Sequence, residues 1–241
     1  MQTKFEPVMS SSASLPRSPA ALPSSVDDRH RVMRNTYALL ALSLLPTIAG
    51  AWVGMQLNFF SAFVAHPIAT PLLMFAAMMG SMFVVTRLRN SSWGVAALFV
   101  FTFIAGVFLT PILTVAAGLR NGGTLVGVAA GMTATIFFGM AALATISKKD
   151  FSFLGNFLWV GLLLLLVAMF ANLFFQVPAA SLALSGIAVL LFSGYVLYDL
   201  SNIVTGGETN YVMATLKIFL DLYNIFVSLL NLLMAFSGQR D

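Results

Sequence analysis

The chain has 241 residues, 59% of them hydrophobic and only 8% charged, with a formal net charge of +4. Soluble domains carry about 25% charged residues to cover their cores, so this composition excludes one and leaves a polytopic membrane protein. Without cysteine there is no disulfide framework, no thiolate nucleophile and no Cys-based metal site.

Residues 1–34 are rich in Ser, Pro and Ala and hold no apolar run long enough for a signal-peptide core. They are predicted to be a disordered, uncleaved cytoplasmic tail. Arg29, Arg31 and Arg34 end that tail beside the first apolar run, where they act as an anchor on anionic lipid and a topology signal. Residues 35–241 form the membrane domain.

Seven apolar segments are predicted to span the bilayer, at 36–57, 67–88, 93–117, 124–146, 153–175, 182–204 and 211–236. At about 1.5 Å per residue, each can cross a hydrocarbon core of about 30 Å. Their continuous apolarity excludes the period-two alternation of a β-barrel, so the fold class is an all-α integral membrane bundle. Pro46 and Pro111 fall within spans and predict kinks. In the fourth span Gly127, Gly131, Thr135 and Gly139 recur every four residues and predict a close-packing face for a neighbouring helix.

With the tail inside, Lys4, Arg17, Arg29, Arg31, Arg34, Arg87, Arg89, Lys148 and Lys149 lie on the inner side, and Arg120 and Arg240 outside. That bias predicts a cytoplasmic N-terminus and, after an odd number of spans, an external C-terminus. A helical bundle excludes an outer-membrane address, so a bacterial inner membrane or an organelle membrane is expected. The positive charge is accounted for by topology, and no nucleic-acid partner is expected.

The last two spans carry two aspartates, Asp199 and Asp221, in otherwise almost uncharged hydrocarbon-length segments. A carboxylate at that depth is costly and marks an ion path, a proton relay or a switch. In span seven Lys217, Asp221, Asn224, Ser228 and Asn231 are spaced 4, 3, 4 and 3, which gathers them on one helical stripe that must face protein or water. Span six offers a weaker stripe in Ser181, Ser185, Tyr195, Asp199 and Asn202, so the two helices are expected to pack stripe to stripe.

Two carboxylates held close in low dielectric cannot both ionise cheaply, so the pair can share a proton and titrate as a unit. Arg87 or Arg89, at the inner end of span two, would pull the pair toward ionisation, and protonation would loosen the cluster. In a plainer alternative Asp199 bonds Ser201, Asn202 or Tyr195, while Asp221 pairs with Lys217 one turn earlier.

These residues carry a family resemblance. Tyr195, Tyr198, Asp199 and Leu200, a Gly206-Gly207 loop, then Met213, Ala214, Thr215 and the run Leu220 to Leu230 resemble the Bax inhibitor-1 family. Lys148 to Leu154 is similar to that family's inner loop, and Thr205 to Tyr211 resembles its bacterial branch, which includes a modulator of the membrane protease FtsH.

The resemblance implies a seven-helix bundle with the last helix central. It also implies a pH-sensitive calcium leak governed by an aspartyl pair, Asp199 and Asp221, with an arginine at Arg87 or Arg89. Arg87, the deeper of the two, is favoured. Lys217 departs from the family pattern, since an ammonium one turn from Asp221 can lock it ionised or repel a cation.

Two functions follow, a cation leak (calcium or protons) gated by the pair, or a non-transporting regulator that binds an FtsH-type protease. No resident cofactor is expected; calcium would be a permeant ion, met by Asp199 and Asp221. An enzyme is not expected. Tyr198 and Asp199 match the first half of a presenilin-like aspartyl protease signature, but Ile218, Phe219 and Leu220 stand where such enzymes place glycines. His30 and His66 lack second ligands at metal spacing, and Glu208 reads as an exposed loop carboxylate near the proposed gate.

Overall fold

A computed structural model describes residues 26–147 and 149–238. Nine helices form among them, and no strand. They are α1 (Val26–Gln56), α2 (Phe59–Ala65), α3 (Ala69–Leu88), α4 (Gly94–Phe108), α5 (Thr110–Ala117), α6 (Gly122–Ser147), α7 (Leu154–Phe175), α8 (Pro178–Thr205) and α9 (Tyr211–Gly238). Seven stretches are long and apolar enough to cross a membrane, α4 and α5 together making one of them (Gly94–Ala117). The protein is a multi-pass membrane protein, and every predicted span has its helix.

Boundaries shift where hydrocarbon ends but helix does not. α1 starts at Val26, so Arg29, Arg31 and Arg34 belong to the first helix rather than to a disordered tail. No Pro or Gly interrupts the run from Ser24 to Leu45. The rest of the predicted tail, 1–25, lies outside the described residues, as do Lys148 and Arg240. Pro46 leaves α1 continuous. Pro111, in the first turn of α5, marks the break from α4, where the Leu109 N–H bonds both Ala105 and Gly106 carbonyls.

α9 sits at the centre, touching α1, α3, α4, α5, α6 and α8. It buries Leu216, Ile218, Ile225 and Leu230 completely, whereas α7 buries only Leu158 and Leu165 and leans on α8. The outward surface is apolar, with Leu45 64%, Phe138 67%, Leu164 67% and Leu190 76% exposed. Such a surface suits the hydrocarbon of a bilayer.

The helices α1 and α4 approach one another closely. A Cβ on Gly50 would lie 2.0 Å from the Phe103 carbonyl oxygen, and one on Gly106 would lie 2.0 Å from that of Thr47. The predicted close-packing face of α6 is a correction. A Cβ on Gly127, Gly131 or Gly139 would meet nothing within 4 Å, and α6 packs inward through Leu125, Ala129, Thr133 and Ala144 instead. A four-residue repeat of small side chains says that a face can be approached closely, not that a helix of the same chain approaches it.

Candidate functional site

The site is built where α8 ends and α9 begins. Gly206 stops α8 in the left-handed conformation (φ 86°), and its neighbour Gly207 donates its N–H to the Asn202 carbonyl at 2.7 Å. Asn210 starts α9: its Oδ1 accepts the Met213 N–H at 3.0 Å, while its Nδ2 donates to the Arg89 carbonyl (3.1 Å) and to Asn90 Oδ1 (2.9 Å). The turn is thereby tied to the end of α3. On the same side, Ser201 Oγ donates to the Lys149 carbonyl and accepts the Phe151 N–H, which fastens the α6–α7 loop to α8.

Within this frame Asp199 of α8 and Asp221 of α9 are both buried, 7% and 5% exposed. Their carboxyl groups face one another within hydrogen-bonding reach. Asp221 Oδ2 has no hydrogen-bond donor among the described residues. Tyr195 also lies close enough to sense both charges. The serine alternative for Asp199 does not form, because Ser201 spends its hydroxyl on the α6–α7 loop.

Lys217 does not clamp Asp221. Its Nζ donates to Glu208 Oε2 at 2.8 Å, although it stays within electrostatic range of both aspartates. Glu208, read from sequence as an exposed carboxylate, is instead half-buried, its side chain 19% exposed, with Oε1 accepting the Asn210 N–H. No periodicity links a loop acid to a lysine nine residues later, so this partnership had no signal in the sequence.

The arginines stand apart. Arg87 places its guanidinium over the Phe83 ring, 4.9 Å from the centroid, and Arg89 contributes its backbone carbonyl to Asn210. Neither forms an ion pair with Asp199 or Asp221 among the described residues; Lys217 supplies the nearby cation.

Farther along α9, Asn224 Nδ2 bonds the Leu220 carbonyl of its own helix. Asn231 Nδ2 bonds Ser185 Oγ at 2.9 Å and reaches Ser181 Oγ at 3.4 Å, so the polar stripes of α8 and α9 do meet. Ser228 and Asn231, with Asn172, Gln176, Ser181 and Ser185, line a cavity of about 650 Å³ toward the opposite face. Among the described residues no group of three His, Asp or Glu is placed to hold a metal. Two carboxylates beside an ammonium fall well short of the 6–8 oxygens of a resident calcium site.

A family model described as "Inhibitor of apoptosis-promoting Bax1" matches residues 29–238. The chain is 39% identical over 212 residues to an Escherichia coli K12 protein named "Modulator of FtsH protease YccA", covering 87% of this chain and 92% of that one. An uncharacterized protein of Pseudomonas aeruginosa is 40% identical over 208 residues, covering 86% and 90%. A protein of Vibrio cholerae named only as a membrane protein is 38% identical over 206 residues, covering 86% and 90%.

Proposed function

The chain belongs to the Bax inhibitor-1 family, and from that premise we propose that it is a membrane-embedded regulator of an FtsH-type protease. The observation that carries this reading is its similarity, over nearly the whole of both chains, to a protein named for modulating that protease. The reading places it in a bacterial inner membrane, with the face that gathers Arg29, Arg89 and Lys149 toward the cytoplasm and the C-terminus outside. The partner is engaged through lipid-facing helices and the N-terminal region.

The test is affinity purification of the full chain from membranes, followed by degradation of a membrane substrate with and without it. Co-purified protease and slowed degradation are expected. Deleting residues 1–30 is expected to weaken both effects. Protease recovered equally with an unrelated seven-span protein would overturn the reading.

A second reading, a pH-sensitive cation leak, is favoured by the facing carboxyl groups of Asp199 and Asp221. Drawn as carboxylates, neither can donate to the other, and Asp221 Oδ2 is left without a partner. One proton held between them supplies the missing donor. The charged and titratable groups around the pair are Lys217, Glu208, Tyr195 and Tyr198, so the proton balance belongs to the cluster. Asn224 and Ser228 continue the stripe toward the opposite cavity and would line the path when α8 and α9 loosen.

Cation flux from proteoliposomes across a pH series tests this. Wild-type flux is expected to change with pH and Asp221→Asn flux to lose that change. The same pH response in the variant would end the reading, while leaving protease regulation standing.

A further inference from the structure

We propose that the cavity on the face opposite the aspartate pair is a binding site for an uncharged small molecule that carries hydroxyl groups on an apolar body. Its lining includes Phe63 of α2, Ile112 of α5, Met169 of α7, Ser185 of α8 and Ser228 of α9. At about 650 Å³ it falls within the range of ligand pockets, roughly 300–1,000 Å³.

Spare hydrogen-bonding groups select the ligand. Ser228 lines the cavity, is only 6% exposed, and its hydroxyl has no partner among the described residues. A helical serine can return its proton to the carbonyl four residues earlier, as Ser185 and Ser193 do. Ser228 does not, so its donor and its acceptor are both spare. Ser185, having given its proton to the Ser181 carbonyl, can only accept from Asn231. That fixes the Asn231 amide with its nitrogen on Ser185 and leaves its Oδ1 unpartnered. Asn172 is fixed the other way, since its Oδ1 accepts the Val177 N–H and its Nδ2 is spare. A molecule with two hydroxyls, each both donor and acceptor, matches this set.

Charge narrows the choice. No Asp, Glu, Lys, Arg or His belongs to the lining, so an ion would give up its hydration without a counter-charge. Phe63, Ile112, Met169, Leu173, Leu184 and Val227 offer the surface for an apolar body. The peripheral α7 faces lipid, whereas Gln176, Val177 and Pro178 lie at the α7–α8 turn, at the end of the bundle. The ligand is therefore either a membrane-borne amphiphile with a polyol head or a water-soluble diol. The inference goes beyond both proposed functions and rests on neither.

The chain has no cysteine, so a single introduced thiol is a unique reporter. Leu184→Cys places it in the lining without touching a spare polar group, and Leu57→Cys, at a position 75% exposed and outside the cavity, is the control. The full chain in phosphatidylcholine nanodiscs is reacted with N-ethylmaleimide, and the labelling rate is read as a probe is titrated. The probes are monooctanoylglycerol, 1,2-hexanediol and two charged controls of the same chain length, octanoate and octylammonium. Slowing at position 184 but not 57 by monooctanoylglycerol alone identifies a membrane-borne ligand, and slowing there by hexanediol identifies a water-soluble one; both support the site. The charged probes are expected to need at least about tenfold higher concentration. Ser228→Ala and Asn231→Leu, each made in the Leu184→Cys background, are expected to weaken protection by about three- to tenfold.

Since the Ser228 hydroxyl bonds nothing in the described chain, Ser228→Ala removes no internal bond and covers the case in which Asn231→Leu misfolds. No protection by either uncharged probe overturns the proposal, as does equal slowing at positions 184 and 57. A thiol at 184 that stays unreactive while the one at 57 reacts overturns it as well, because the cavity is then closed. Equal protection by the charged probes, or undiminished protection in Ser228→Ala, overturns it too, since the apolar lining alone would then account for binding.

Discussion

Asp221 has a poorly satisfied carboxyl group: an enclosed oxygen lies beside a second acid and, among the described residues, has no donor. An amide in its place brings the donor that a carboxylate lacks, so Asp221→Asn is expected to hold or raise the thermal midpoint, even as it removes the proton-sharing pair. A fall of more than about 5 °C, roughly a kcal/mol or two for a chain of this size, would mean that the pair is not where the strain lies. Lys217 and Glu208 are partly solvated, with side chains 39% and 19% exposed. Lys217→Met is therefore expected to cost no more than about 1 kcal/mol in a thermal-unfolding comparison. In the α6–α7 loop the exposed Asp150 accepts bonds from the Ser152 hydroxyl and N–H, which hold its pKa below the usual carboxylate value. A lowered pKa gives loop order that persists above it and is lost as pH falls through it. Protection of the Ser152 amide against hydrogen exchange is thus expected to hold at neutral pH and to be lost only as the pH falls below the ordinary carboxylate range.

Among helices, close approach and apparent close approach give opposite predictions. Gly106→Ala would put a methyl against the Thr47 backbone and force α1 from α4, so loss of folded protein or a cost of several kcal/mol is expected. Gly131→Ala meets open space, and its higher helix propensity is expected to raise stability by up to about 1 kcal/mol in the same assay. The reverse result would mean that α6, not α1, makes the tight contact. Ser201, only 1% exposed, satisfies two backbone groups of the α6–α7 loop. Ser201→Ala leaves both unpaired at a cost of about 1–3 kcal/mol. What was legible here follows from periodicity: the polar residues of spans six and seven, spaced for one face, meet as Asn231 with Ser185. What was not legible depends on which helix lies opposite, as with the small-residue stripe of α6 and with Arg87, which leans on Phe83 rather than on the aspartates.

At the scale of the molecule, a central α9 flanked by six helices and a peripheral α7 predict a gradient of local stability. Backbone amides of α9 are expected to exchange most slowly, and those of α3 and α7 earlier; uniform exchange across the bundle would contradict the arrangement. The seven crossings and their approximate ends were determined by the sequence alone, because a chain-local quantity decides them: apolar length against bilayer thickness. The partners of charged side chains were decided only by the tertiary structure. Lys217 chose Glu208 over Asp221, and α1 carried its arginines into the wall of a cavity, because such pairings depend on distances between segments far apart in the chain. Helical spacing fixes which residues share a face, whereas only the packed bundle fixes what that face meets.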